Sequence, residues 1–242
     1  MPVVFVLPVM ESGRGAPVAS LISTAGWATG ATKRHGRAWI VTPEGVIDPA
    51  EARELAAADE RRQRPGPALA TSPPAGRSLV ARAKAVTPDP VKTLLKDARQ
   101  AVRARRFHIG AGPWDDDIVD WVWQRHELFQ SAGLDLADRL GVPSVLFVPA
   151  TKVWESTRWG TRRPGWGGLV ERFGETPALQ RATLVACGSD EVADQALRLG
   201  TPADRIVVTP TGVNVDRFAD GDRERGRRRA GITADDDRMV VG

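Results

Sequence analysis

Cysteine is nearly absent from this 242-residue chain. The one residue, Cys187, has no partner within the chain, so a disulfide framework is excluded and nothing points to an oxidising compartment. Long hydrophobic runs are missing too, and none approaches the roughly 20 residues that a membrane helix needs. The apolar opening, Pro2 to Met10, has neither a basic leading segment nor a small-residue cleavage site. It reads as a buried strand rather than a signal peptide, and the cytoplasm is the expected location. Lysine is scarce beside arginine, and the net charge of +4 is spread along the chain, with one dense run at Arg223–Arg229. No zinc-ligand spacing, no aromatic-and-basic RNA signature and no helix-turn-helix pattern is present. Nucleic acid is therefore not expected as a partner and no metal is called for. A positive surface also suits anionic phosphates or an acidic membrane face, so peripheral membrane contact is among the expected interactions. Oligomeric state is not legible.

What the sequence does have is alternation. Hydrophobic residues make up 42% and charged residues 26%, which supports a sizeable core. Short continuous apolar runs read as strands at Val3–Val9, Ala38–Thr42, Ile118–Gln124, Ser144–Val148, Leu184–Cys187 and Ile206–Thr209. Helical stretches lie between them. One spans Val18 to His35 and closes at Gly36. An exposed one spans Pro49 to Arg62. Another, Val91 to Arg106, carries Val91, Leu94, Leu95, Ala98 and Val102 on one face. Leu128, Ala132, Leu136 and Leu140 recur every fourth position and stop at Gly141. Ser189 is an N-cap, with Asp190 and Glu191 in the first turn. Gln63–Pro90, with six prolines, and Thr151–Gly168, with three tryptophans, read as loops. Asp220–Arg229 reads as a charged linker. The regular alternation predicts an α/β fold: a Rossmann-like parallel sheet with helices on both faces.

Such a sheet binds ligands beyond the C-terminal ends of its strands. His126, between Arg125 and Glu127 at one such end, is the first candidate, because imidazole can polarise a hydroxyl near neutral pH. Its structural alternative is a cap for the next helix. Gly13 and Gly15 would let backbone N–H groups approach a phosphate, with Arg14 adding charge. Their alternative is a flexible turn, since no third glycine completes a dinucleotide fingerprint. Trp154, Trp159 and Trp166, with Glu155 and Arg158, could line an acceptor groove, or the tryptophans could pin the loop to its own domain. Trp121 and Trp123 are expected to pack under helices, and Cys187 to be an inert core residue.

One long stretch carries a family resemblance. Asp204–Phe218, reading DRIVVTPTGVNVDRF, resembles the interdomain segment of family-4 glycosyltransferases, approximately I-x-V-x-P-N-G-V-D-x-x-x-F. Ala182–Ser189 is similar to their A-D-x-V-x-x-x-S strand and helix start, and Leu140–Val145 to their G-V-P-x-V strand lead-in. Asp117–Asp120 followed by Arg125–Glu127 resembles the strand that ends in the family's active-site histidine. The resemblance runs from about Asp115 to Phe218. Two positions depart from the pattern. Asn214 stands where Asp is usual, and Ser144–Val148 leads into Pro149–Ala150 rather than a polar turn.

The resemblance implies a two-domain GT-B fold and transfer of a hexose from a nucleoside-diphosphate sugar, with retention and without a metal or other cofactor. Residues 1–219 would be the acceptor-side domain. Residues 220–242 would be the linker and the start of a truncated donor-binding domain, so the isolated chain is expected to be inactive. His126 would be catalytic, contacting the donor sugar. Gly13, Arg14, Gly15 and Gly212 would contact donor or phosphate. Glu127, Trp154, Glu155 and Arg158 would bind the acceptor, a small molecule, glycan or lipid. Two other classes stand beside this one: a catalytically silent acceptor-binding or partner module from a shortened gene, and a dinucleotide-dependent oxidoreductase.

Overall fold

A computed structural model describes residues 2–8, 17–55, 89–212, 222–229 and 231–232. The chain divides into two compact units, Met1–Thr209 and Pro210–Gly242. The division falls inside the 1–219 segment read from the sequence.

In the first unit, strands β1 (Val3–Val6), β2 (Ala38–Thr42), β3 (Gly45–Ile47), β4 (Trp121–Arg125), β5 (Ser144–Val148), β6 (Leu184–Cys187) and β7 (Ile206–Val208) form one sheet. Its order is β3-β2-β1-β4-β5-β6-β7. Every pairing is parallel except β2 with β3, a hairpin in which Thr42 lies opposite Gly45. The expected α/β architecture is therefore present. The chain grows outward from β1 to β3, then returns to the other side of β1 at β4. That reversal makes the β1–β4 boundary a topological switch point.

Helices are α1 (Pro17–His35), α2 (49–55), α3 (Asp89–Arg106), α4 (Ala132–Leu140), α5 (Lys152–Arg158), α6 (Gly167–Val170), α7 (Thr176–Arg181) and α8 (Asp190–Arg198). A π-helical stretch, Glu171–Glu175, joins α6 to α7. The second unit holds α9 (Arg223–Arg229), where the sequence reads as a linker.

Both sheet faces are covered, which is why the strands are continuous apolar runs rather than alternating ones. On one face Val3, Phe5, Ile40 and Trp123 pack against Leu21, Ala25 and Ala28 of α1. The small alanines let α1 approach closely enough for Trp27 to meet Trp123 at 5.1 Å and Phe147 at 4.5 Å between ring centroids. Trp121 meets Phe5 and His35, so both strand tryptophans lie under α1 as expected. On the other face Val4, Val6 and Val122 pack against Leu136 and Ala137 of α4, with the buried Trp114 beside them. Each large apolar side chain fully buried this way contributes about 1.5–3 kcal/mol. Cys187 lies within a third cluster built on β5, β6 and α8. Burial pushes its thiol up to about 11, so it is a protonated core residue at neutral pH.

Besides the linker that is helical at α9, and β1 ending at Val6 short of the Val9 expected, four sequence expectations change. Strand β4 begins at Trp121, not Ile118, and Ile118 is 78% exposed. Helix α3 begins at Asp89, with Pro90 in its first turn where a missing N–H costs nothing. Leu128 precedes α4 rather than starting it. Most consequentially, Thr151–Gly168 is not all loop: Lys152–Arg158 is helical. Other expectations hold. Gly36 (φ 87°) and Gly141 (φ 67°) end their helices in the left-handed region, and Ser189 Oγ accepts from Val192 N–H. The exposed helix expected over Pro49–Arg62 is present at 49–55, and the remainder of that stretch lies outside the described residues.

Candidate functional site

Three strand ends converge on one edge of the sheet. β4 delivers Arg125-His126-Glu127, β5 delivers Pro149-Ala150-Thr151 and then α5, and β6 delivers Gly188-Ser189 and then α8. The loop after β4 is held from below. Gln124 is fully buried; its Oε1 accepts from Gly133 N–H at 2.6 Å, and its Nε2 donates to Gln130 O at 2.9 Å. Gly133 is required there, since an added Cβ would sit 2.8 Å from Gln124 Oε1. Phe129 adopts a left-handed φ of 64°, a conformation costly for a bulky residue, and its N–H donates to Gly174 O at 2.7 Å.

That bond ties the β4 loop to the π-helical stretch, and a second tie runs beside it. His126 Nε2 lies 3.2 Å from Glu175 Oε1, and both side chains are fully buried. The Glu175 carboxylate also accepts from the backbone N–H of Lys152 and, at 3.3 Å, of Val153. A negative group here satisfies otherwise orphaned donors at the α5 N-terminus. Glu175 therefore fixes both His126 and α5. Nothing in the sequence singled it out, because its role depends on a π-helical turn that no local pattern announces.

Helix α5 walls a cleft of about 350 Å³, lined by Pro149, Ala150, Trp154, Glu155, Arg158, Trp159, Ser189 and Val192. Three of the expected acceptor residues, Trp154, Glu155 and Arg158, meet there. The Arg158 guanidinium lies 4.6 Å from the Trp154 ring centroid and 3.9 Å from Glu191. Glu127, the fourth, is linked to them by Lys152, whose Nζ is 3.8 Å from Glu127 and 3.7 Å from Glu155. Burial pushes the Arg125 guanidinium below its ordinary value, and Glu127 and Glu155 pull it back up.

His126 does not line the cleft. It is buried beside it, and its Nδ1 has no hydrogen-bond partner among the described residues. Arg125 Nε and Thr151 Oγ1 are buried on the same edge without partners among the described residues. Of the tryptophans, Trp159 is 83% exposed at the cleft, while Trp166 turns away to donate from Nε1 to Asp97 at 3.1 Å. Trp166 thus pins its segment to the domain. Gly13, Arg14 and Gly15 lie outside the described residues. Gly212 belongs to the second unit, and an added Cβ there meets no atom within 4 Å. Among the described residues no cluster of His, Cys, Asp or Glu could hold a metal, and no helix is long and apolar enough to cross a membrane.

No family model and no curated protein matches the chain. Among solved structures it is similar to Anabaena HepE in complex with UDP-glucose, at 14% identity over 96% of this chain and 50% of that one, with a TM-score of 0.46. It is also similar to UDP-GlcNAc 2-epimerase from Neisseria meningitidis bound to UDP-GlcNAc, at 12% identity over 95% and 53%, with a TM-score of 0.46. The chain spans about half the length of these proteins. Its own strand order and pairing make it an α/β, Rossmann-like protein with a charged, aromatic cleft beyond its strand ends.

Proposed function

We propose that this chain is the acceptor-side domain of a retaining GT-B glycosyltransferase that uses a nucleoside-diphosphate hexose. The observation that carries the reading is the cleft at the carboxyl ends of β5 and β6, one strand from the switch point. It combines exposed indole, carboxylate and guanidinium groups. The interdomain-like segment Asp204–Phe218 in the same chain supports it.

In this reading Trp154 and Trp159 stack against an acceptor ring, and Glu155 accepts from its hydroxyls. Glu127 and Arg158 complete the polar lining. Lys152 and Arg125 balance the carboxylates and offer positive charge toward a diphosphate. Gly13, Arg14, Gly15 and Gly212 contact the donor. His126 meets a donor hydroxyl through Nδ1. Because that atom is buried, contact requires movement of the segments around it. No cofactor is needed beyond the nucleotide sugar, and a GT-B transferase binds that donor on a second domain. The 242-residue chain by itself is then expected to bind acceptor without turnover.

The test is a transfer assay on the protein as its source cell makes it, supplied with nucleoside-diphosphate hexoses and an extract of those cells as acceptor. His126→Ala is expected to lower kcat by about a hundredfold. Unchanged turnover in that variant removes His126 from the chemistry. Absence of transfer from every hexose donor removes the glycosyltransferase reading.

A further inference from the structure

Helix α3 keeps its apolar side in solvent. Val91, Leu94, Leu95 and Val102 are 45%, 46%, 49% and 49% exposed, and helical periodicity places them in one stripe with Ala98. The helix docks through its opposite side. There Asp97, 3% exposed, accepts from Arg163 Nε at 2.8 Å, from Arg163 Nη2 at 3.1 Å and from Trp166 Nε1. Ala104 is buried on the same side.

Charge sorts the same way. The one carboxylate of the helix interior, Asp97, points inward. Lys96, Arg99, Arg103, Arg105 and Arg106 are all exposed. Lys92 is paired with Asp89 at the first turn, at 2.9 Å. By periodicity Lys92, Lys96, Arg99, Arg103 and Arg106 form a band along one border of the apolar stripe, and Arg105 enters the stripe itself at its C-terminal end, next to Val102.

The occupant must satisfy both features. A nucleic acid would meet the cations and leave the stripe unmatched. A second copy packed antiparallel would bring two cationic bands together, and one packed parallel would leave both bands unmatched. An anionic lipid surface matches both, since the stripe enters the acyl boundary while the cations lie among the headgroups. We propose that α3 is an interfacial helix that seats this protein on an anionic bilayer.

Seating by α3 is independent of any transferase activity. Its test is co-flotation of the 242-residue chain with phosphatidylcholine vesicles, with and without phosphatidylglycerol. Binding is expected only to the phosphatidylglycerol vesicles, and to weaken as salt is raised. Leu95→Glu with Val102→Glu is expected to weaken it at least about tenfold, as is Lys96→Glu with Arg99→Glu. All four side chains are exposed, and circular dichroism of each variant verifies that the fold is kept. The proposal is overturned if the wild-type chain floats with neither vesicle or with both equally, or if the Leu95/Val102 variant binds undiminished. A dimer in sedimentation that Leu95→Glu dissociates, without vesicle binding, would assign the face to a second copy and overturn it as well.

Discussion

Helices α3 and α4 carry similar amphipathic patterns and use them in opposite ways. Helix α4 turns Leu134, Leu136 and Ala137 into the core and leaves Asp135, Asp138 and Arg139 outside. Helix α3 turns Asp97 inward, held by Arg163 and Trp166, and leaves its valines and leucines outside. Periodicity states which residues share a face, but not what lies against that face. In α4 the answer is the sheet. In α3 it is a buried ion pair on one side and solvent on the other.

That difference gives an order of effects. Asp97→Ala leaves Arg163, only 7% exposed, as an unpaired buried cation and frees Trp166 Nε1. Urea unfolding should show a loss of about 3–5 kcal/mol; a loss under about 1 kcal/mol would mean α3 is anchored by something other than Asp97. Leu136→Ala opens a cavity under α4 and should cost about 3 kcal/mol by the same measurement. Gly133→Ala drives a methyl to 2.8 Å from Gln124 Oε1 and should cost about 1–3 kcal/mol. Partial recovery is expected when Gln124 is also shortened. Leu95→Ser on the exposed face of α3 should change stability by no more than about 0.5 kcal/mol. If Leu95→Ser costs as much as Leu136→Ala, the contrast between the helices is wrong.

Much of the sheet was legible because buried parallel strands are short apolar runs. Ala38–Thr42, Ser144–Val148 and Leu184–Cys187 were read to the residue. Gly36 and Gly141 announced two helix ends, because a positive φ favours glycine. β3 was missed, since three residues at a sheet edge leave no period to detect. Ile118 misled by being apolar yet exposed. In Thr151–Gly168, glycine and tryptophan content masked a helix whose signals were Thr151 at the N-cap position and the Lys152–Glu155 pair.

The candidate site was partly legible for the same reason. Trp154, Glu155 and Arg158 are close in sequence, so one short helix brings them together. His126 and Glu175 are joined across 49 positions of the sequence and a π-helical turn, which no local pattern encodes.

The most direct test of the cleft as the acceptor site is the acceptor KM of the source-cell protein carrying Trp159→Ala and Glu155→Gln. Both are surface changes at the cleft rim, and Trp159 is 83% exposed, so the fold should be unaffected. The acceptor KM should rise about tenfold, with kcat and donor KM within about twofold of wild type. An unchanged acceptor KM would mean that the acceptor binds elsewhere than in this cleft.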